Sequence, residues 1–258
     1  MTAKYALQRG LIALAQVATV VVFLVLWQLA SEHHVLDPVF FSKPTDMWHQ
    51  LLLWKRTGVL WKNIVDTMTV FLVGYVAGTV LGIVLGIVIG TMTWAREIME
   101  PFLAFFNALP RLILLPLLIV WFGFGLEPKF LLVISVIILM VALNVAAGLR
   151  EVKVDYLNNA RLAGATKFDL VRHVYIPSVS LWVTSTARVT VGYAFNAAIA
   201  AEFIGANKGL GFLMYLGLSN TEAVQIWTAL GVTVILALVI DFILAGVETR
   251  ATRWMPAA

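Results

Sequence analysis

The sequence predicts an all-α integral membrane protein with about six transmembrane helices, and three observations carry that prediction. Of 258 residues, 61% belong to the set AVILMFWYC and only 12% are charged, against about 25% charged in soluble domains. Mean hydropathy is +0.94. The apolar residues also gather into runs long enough to cross a hydrocarbon core of about 30 Å. Such a core takes roughly 20 residues of helix, because a span must satisfy its own backbone hydrogen bonds. So few charges cannot coat a water-facing shell, which excludes a single soluble domain and a disordered chain. A net charge of +4 with no basic stripe excludes a nucleic-acid binder. The absence of cysteine excludes structural disulfides, thiol catalysis and cysteine-ligated metals.

One transmembrane domain over 1–258 is expected, with spans at about 11–30, 67–92, 102–122, 130–149, 179–201 and 227–247. The first run, Leu11 to Ala30, is too long and too poor in a small-residue cleavage site to suit a removable signal, so a retained helix is expected. Between it and the second span, Ser31 to Asp66 contains Pro38, Pro44 and a stretch rich in Trp and Leu (Trp48, Leu51, Leu52, Trp54). That composition suits a helix lying at the interface. The second span carries Gly74, Gly78, Gly82, Gly86 and Gly90 at four-residue spacing. Small residues so placed admit another backbone. The ridge winds about 160° around the helix, so its partner is expected to cross at an angle. That partner is either a second copy or a helix of the same chain.

The third span, Phe102 to Phe122, holds Asn107 and, one turn further on the same face, Arg111, beside Pro110, which disturbs the helix hydrogen bonds. The fourth is Phe130 to Leu149. The fifth, Val179 to Ala201, contains Arg188, which lies on a seven-residue stripe with Phe195 and Glu202, with Asn196 beside it. The sixth, Trp227 to Val247, contains Asp241. Trp27, Trp182 and Trp227 sit near span ends, where tryptophan anchors at the interface.

Six spans put both termini on one side, and basic residues choose the side. With the N-terminus inside, the inner face holds ten: Lys4, Arg9, Arg96, Arg150, Lys153, Arg161, Lys167, Arg172, Arg250 and Arg253. The outer face holds six, namely Lys43, Lys55, Arg56, Lys62, Lys129 and Lys208, while Arg111 and Arg188 fall within spans. Both termini are therefore expected in the cytoplasm.

Ionisable groups at bilayer depth face a bundle interior or an aqueous cavity. Arg111 and Arg188 admit two readings. They offset the lost hydration of a small anion along a path that also includes Asn107 and Asn196, or they pair with helix carbonyls and with Asp241, the carboxylate available. Glu202 stands about 21 Å along the helix from Arg188, too far for a pair within one chain. Glu202 and the following loop, with Gly209 and Gly211, form an outer gate or a partner contact, or else simply terminate the helix.

The most informative segment is the inner loop 150–176, a polar stretch between the fourth and fifth spans. Its apolar residues Leu157, Ala160, Leu162, Ala163 and Ala165, then Phe168, Leu170, Val171 and Val174, predict two short helices hinged at Gly164. The bland alternative makes Gly164 a helix cap and Pro177 a helix start.

From Gly164, nine residues lead to Val174-Tyr175-Ile176-Pro177. This spacing resembles the cytoplasmic signature E-A-A-x3-G-x9-I-x-L-P of membrane subunits of bacterial ATP-binding-cassette (ABC) importers. Asn158 and Asn159 stand where that signature has Glu and Ala, while Ala160 keeps the second alanine. The segments PRLILLPLLIVWFGFG (Pro110 to Gly125) and AAEFIGANKGLGFL (Ala200 to Leu213) are similar to the subfamily importing nitrate, taurine and aliphatic sulfonates.

The resemblance implies a type I importer permease fold in a bacterial inner membrane. It implies a second permease copy, as a homodimer, and a soluble solute-binding protein outside. It also implies two cytoplasmic ATPase subunits that hold ATP and Mg, with no cofactor in this chain. Asn158, Asn159, Ala160, Gly164, Ala165, Asp169 and Pro177 would then couple to the ATPase, Ala160 to Asp169 being the docking element. The cargo would be a small anion of the nitrate, sulfonate or taurine kind, with vitamin or pyrimidine precursors as the alternative.

The chain has no G-x4-G-K-[ST] phosphate loop. Its four histidines, His33, His34, His49 and His173, form no metal motif. An ion-coupled secondary transporter would show inverted repeats, and a membrane enzyme a convergent acid, base or nucleophile. The sequence offers neither.

Overall fold

The computed structural model describes residues 2–151, 159–160, 162–205 and 207–251; Asn158, Lys153, Arg161 and Arg253 lie outside the described residues. Every regular element within them is helical: α1 (Thr2–Glu32), α2 (Pro44–Arg56), α3 (Val59–Thr91), α4 (Thr93–Ala108), α5 (Leu114–Phe122), α6 (Glu127–Arg150), α7 (Lys167–Leu170), α8 (Ile176–Gly205), α9 (Leu210–Ser219) and α10 (Ala223–Ala251). Five stretches are long and apolar enough to cross a bilayer: Gly10–Glu32, Val59–Thr91, Glu127–Arg150, Thr186–Ser219 and Ala223–Gly246. A sixth crossing is supplied by α4 and α5 taken as one broken span. Contacts sort the chain into two compact units, Met1–Lys62 with Leu213–Val232, and Asn63–Phe212 with Thr233–Ala258.

In the first unit, α2 opens on Pro44, whose missing N–H costs nothing at a helix start, and ends on Lys55 and Arg56, which favour the negative end of the helix dipole. The Trp/Leu-rich stretch is thus a helix, as its composition predicts. Thr45 is held to α1, its N–H donating to Gln28 Oε1 at 3.2 Å. Trp27 and Trp227 meet edge to face at 5.0 Å between centroids. The Trp227 Nε1–H donates to the Phe40 carbonyl at 2.8 Å. Both rings therefore pack within their own unit, and Trp227 also bonds there.

The second unit is built on α3, α6 and α8, whose Val70, Phe71, Val133, Ile137, Val141, Ala194 and Phe195 form one buried cluster. Phe71 and Phe195 meet edge to face at 5.7 Å. The glycine ridge of α3 finds its partner here, within the chain. A Cβ on Gly74 would stand 2.6 Å from Val133 Cβ, on Gly78 2.9 Å from Ile137, on Gly82 2.7 Å from Val141, and on Gly86 2.6 Å from Val145. Gly90 meets Leu149 in the same register. Every glycine faces the residue 59 positions later, so α6 follows the winding ridge instead of crossing it at one point.

The third span differs from the straight helix 102–122 expected. α4 stops at Ala108, Leu109 and Pro110 are extended (ψ 127° and 99°), and a 3₁₀ turn, Arg111–Ile113, leads into α5. The two halves bend by 82°. Pro110 is the cause, since it lacks an N–H and pushes the residue before it out of the helical region. Asn107 and Arg111 therefore do not share a helix face.

Candidate functional site

The polar loop folds around Gly164. Residues 159, 160 and 162 are helical, and Gly164 takes φ +84°, a left-handed conformation that suits glycine. The Ala163 N–H donates to Asn159 O and the Ala165 N–H to Ala160 O, both at 3.0 Å. The second bond, spanning five residues across a left-handed glycine, is a Schellman closure. α7 then starts with a reciprocal cap. Asp169 Oδ2 accepts from the Thr166 N–H at 2.9 Å and its hydroxyl at 2.6 Å, while the Asp169 N–H donates back to Thr166 Oγ1 at 3.3 Å. The Thr166 hydroxyl, with the backbone bond, holds the Asp169 carboxyl below its ordinary value. A π-helical turn, Val171–Tyr175, joins α7 to α8, whose second residue is Pro177.

On either side of the hinge two large apolar side chains stand in the open, Leu162 at 86% exposure and Phe168 at 69%. The sequence showed them only as members of a helical period. Apolar residues beside a glycine on an otherwise polar loop were the signal that could have marked them as a contact surface.

The charges within the spans do not form one site. The Arg111 Nη1–H donates to the Val136 carbonyl of α6 at 3.0 Å. Asn107 lines a separate cavity with Arg96, Glu100 and Arg150. Arg188 on α8 is bidentate to Asp241 on α10, at 2.6 Å from Nε and 2.5 Å from Nη2. Their side chains are 50% and 47% exposed. The pair opens onto a cavity of about 140 Å³ shared with Gly192, Phe195 and Asn196. Arg188, Gly192 and Asn196, four apart, make an exposed polar stripe on α8.

Glu202 is fully enclosed, at 0% exposure. Its Oε2 accepts from the Thr67 hydroxyl at 2.7 Å and the Gly211 N–H at 3.1 Å. Thr67 Oγ1 accepts from the Leu210 N–H at 2.9 Å, and Asn63 Oδ1 from the Gly209 N–H at 2.7 Å. Three successive N–H groups are thereby captured by two helices. Gly209, at φ +110°, lies against the Glu202 carboxylate, and a Cβ on Gly211 would strike the Ile199 carbonyl. Lys129, only 2% exposed, attracts Glu202 electrostatically. The carboxylate fastens the turn that leads into α9. Asn63, Thr67 and Lys129 were missed as its partners, because nothing local in the sequence joins positions so far apart.

Comparison with known proteins places these elements in a family. Residues 78–253 match the binding-protein-dependent transport system inner membrane component family. The taurine transport system permease protein TauC of Escherichia coli (strain K12) is 26% identical over 243 residues, covering 92% of this chain and 88% of that protein. The riboflavin transport system permease protein RibX of Chloroflexus aurantiacus is 29% identical over 243 residues, covering 94% and 90%. Among solved structures, an inward-facing MetNI methionine ABC transporter matches with a TM-score of 0.61 at 20% identity, over 81% of this chain and 99% of that one. That likeness establishes the fold. The chain belongs to the binding-protein-dependent transport system inner membrane components, the membrane-spanning permease subunits of bacterial ABC importers.

Proposed function

We propose that this chain lines the path for a small solute bearing an anionic group, of the nitrate, taurine or aliphatic sulfonate kind. Its energy comes from a separate ATPase pair that holds ATP and Mg. The observation that carries the coupling is the hinge itself: Leu162 and Phe168 project either side of Gly164 from a polar loop. Covering a side chain of that size is worth about 1.5–3 kcal/mol, so a partner with an apolar groove is favoured at this loop. Asn159, Ala160, Ala165 and Asp169 shape the element, and Pro177 leads it into α8. On this reading both termini and the hinge are cytoplasmic, a solute-binding protein delivers from the opposite side, and a second copy completes the path.

The exposed stripe Arg188, Gly192 and Asn196 supports the choice of α8 as a path wall, because polar groups at bilayer depth suit water or solute better than lipid. The riboflavin permease relative favours a second reading that differs in cargo alone, a vitamin-sized solute. The test is reconstitution with the ATPase and the binding protein in liposomes. Gly164→Glu, which strains a left-handed backbone and sets a charge between Leu162 and Phe168, is expected to leave the protein inserted, release the ATPase and abolish ATP-driven uptake. Full uptake by an intact Gly164→Glu complex overturns the proposal.

A further inference from the structure

We infer that the first unit holds a phospholipid whose headgroup joins a phosphate to a primary ammonium, seated where α1 ends and α10 begins. Two cavities of that unit share Phe41 as a wall. One is an apolar groove of about 460 Å³ formed by Phe23, Leu26, Trp27, Ala30, Phe41 and Trp227. The other, of about 220 Å³, is polar and includes Ser31, Ser42, Lys43, Asp46 and Glu222. Chain position sets their order in the bilayer. Ser31 lies at the end of the span Gly10–Glu32 and Glu222 just before the span Ala223–Gly246, whereas Phe23 stands about 12 Å deeper along α1. A polar chamber at the interface, continued by an apolar groove at hydrocarbon depth, suits an amphiphile with a headgroup and an acyl chain.

Two polar groups on α1 lack what such a molecule brings. The Ser31 hydroxyl, on a residue only 3% exposed, and the Trp27 Nε1–H, one turn deeper, are buried with no hydrogen-bond partner among the described residues. A buried donor left unsatisfied costs about 1–3 kcal/mol. In a diacyl phospholipid the phosphate and then the ester carbonyls precede the chains, so oxygen acceptors fall at these two levels in turn. Trp227 differs, because its N–H already donates to the Phe40 carbonyl. With Phe41 stacked on it at 5.8 Å, it serves as apolar wall alone.

The charges of the chamber choose the headgroup. Lys43 is half-buried, while Asp46 and Glu222 are exposed. None of the three forms an ion pair among the described residues. A headgroup with a phosphate as its only charge meets two carboxylates against one ammonium, an unfavourable balance. A choline headgroup has no N–H to donate, and its quaternary ammonium suits an aromatic cage better than carboxylates. A primary ammonium donates up to three hydrogen bonds, and Asp46 and Glu222 supply acceptors for it as Lys43 meets the phosphate. Glu222 also accepts from the Gln225 amide, which orients its carboxylate.

The test uses the permease–ATPase complex, stripped of lipid in detergent and read by native mass spectrometry and thermal unfolding. Phosphatidylethanolamine, phosphatidylglycerol and phosphatidylcholine with identical acyl chains are added in turn, beside water-soluble glycerophosphoethanolamine, which has none. Phosphatidylethanolamine is expected to bind about tenfold or more tightly than each of the other three. Asp46→Asn combined with Glu222→Gln should erase its preference over phosphatidylcholine. Ala30→Phe, which fills the groove, should remove its binding. If Ala30→Phe fails to assemble, the carboxylate variants decide, since both of those side chains are exposed. Equal binding of the three lipids overturns the inference, as does a preference that survives the carboxylate variants. Wild-type binding by an assembled Ala30→Phe complex, or equal binding of glycerophosphoethanolamine, overturns it too. Each of these outcomes leaves the proposed function standing, because ATP-driven uptake is measured separately.

Discussion

Glu202 shows how a carboxylate is kept inside a membrane protein. One oxygen takes both the Thr67 hydroxyl and the Gly211 N–H, and Lys129 supplies the compensating field. Removing the side chain orphans a buried hydroxyl and a buried N–H, each worth about 1–3 kcal/mol. Glu202→Ala is therefore expected to destabilise the protein by about 2 kcal/mol or more, read as a lowered melting temperature in detergent. Glu202→Gln, whose amide oxygen accepts the same two bonds, should lose less than half as much. A Gln variant as damaged as Ala would show that charge, not acceptor geometry, holds the turn. Asp169 is a carboxylate of the opposite kind, outside the spans and at the protein surface. Its folded value lies below the ordinary 3.8, so the stability that it contributes is present above that value and lost only as pH falls beneath it. Wild-type coupling of ATP hydrolysis to uptake should thus show no pH dependence arising from Asp169 above about pH 5, while Asp169→Ala weakens coupling throughout. A coupling step between pH 5 and 8 that vanishes in Asp169→Ala would contradict the cap. The sequence placed Glu202 and Arg188 on one stripe and named Asp241 as a possible partner of arginine. It could not reveal Asn63 and Thr67, because their bonds to Gly209 and Leu210 span 146 and 143 residues.

At the level of elements, the periodic features were legible and the interruptions less so. Five of the six apolar runs correspond to helices long enough to span and the third to a bent pair, and five glycines at fixed spacing announced a close helix contact. Whether that contact lay within or between chains depended on Val133, Ile137, Val141, Val145 and Leu149, which read as ordinary apolar residues until α6 is laid beside α3. Pro110 signalled a disturbance, but its size, an 82° bend, depends on how α4 and α5 pack. The glycines provide a paired prediction of opposite sign. Gly86→Val drives a side chain into Val145 and the Ala142 carbonyl, whose oxygen lies 2.7 Å from the added Cβ. It is expected to destabilise by about 1–3 kcal/mol. Gly192→Ala meets open space and should stabilise by up to about 1 kcal/mol, while slowing uptake if solute passes over that turn. Thermal unfolding beside transport assays separates the two. Destabilisation of similar size in both variants would mean that Gly192, like Gly86, sits against a close neighbour.

For the whole molecule, the question that joins hinge, path and partners is which side each loop faces. The positive-inside rule gives an answer because translocating Lys and Arg is unfavourable, and the inner loop 150–176 carries Lys153, Arg161, Lys167 and Arg172. On the topology expected from the sequence, the other side, with Lys55 and Arg56, has fewer. Lys129, assigned to that face, turns out to be buried, within electrostatic reach of Glu202. Discounting it leaves the outer count lower still, so the bias toward a cytoplasmic hinge grows. Because the chain contains no cysteine, single cysteines can report sidedness against a silent background. Phe168→Cys on the hinge and Lys55→Cys on α2 replace exposed residues, so neither should disturb folding. In spheroplasts, where only the outer face meets the reagent, a membrane-impermeant maleimide is expected to label Lys55→Cys and spare Phe168→Cys. Permeabilisation should then expose Phe168→Cys unless the ATPase is bound, in which case protection marks the docking surface. Labelling of Phe168→Cys in intact spheroplasts would invert the topology and remove the hinge from reach of any cytoplasmic ATPase.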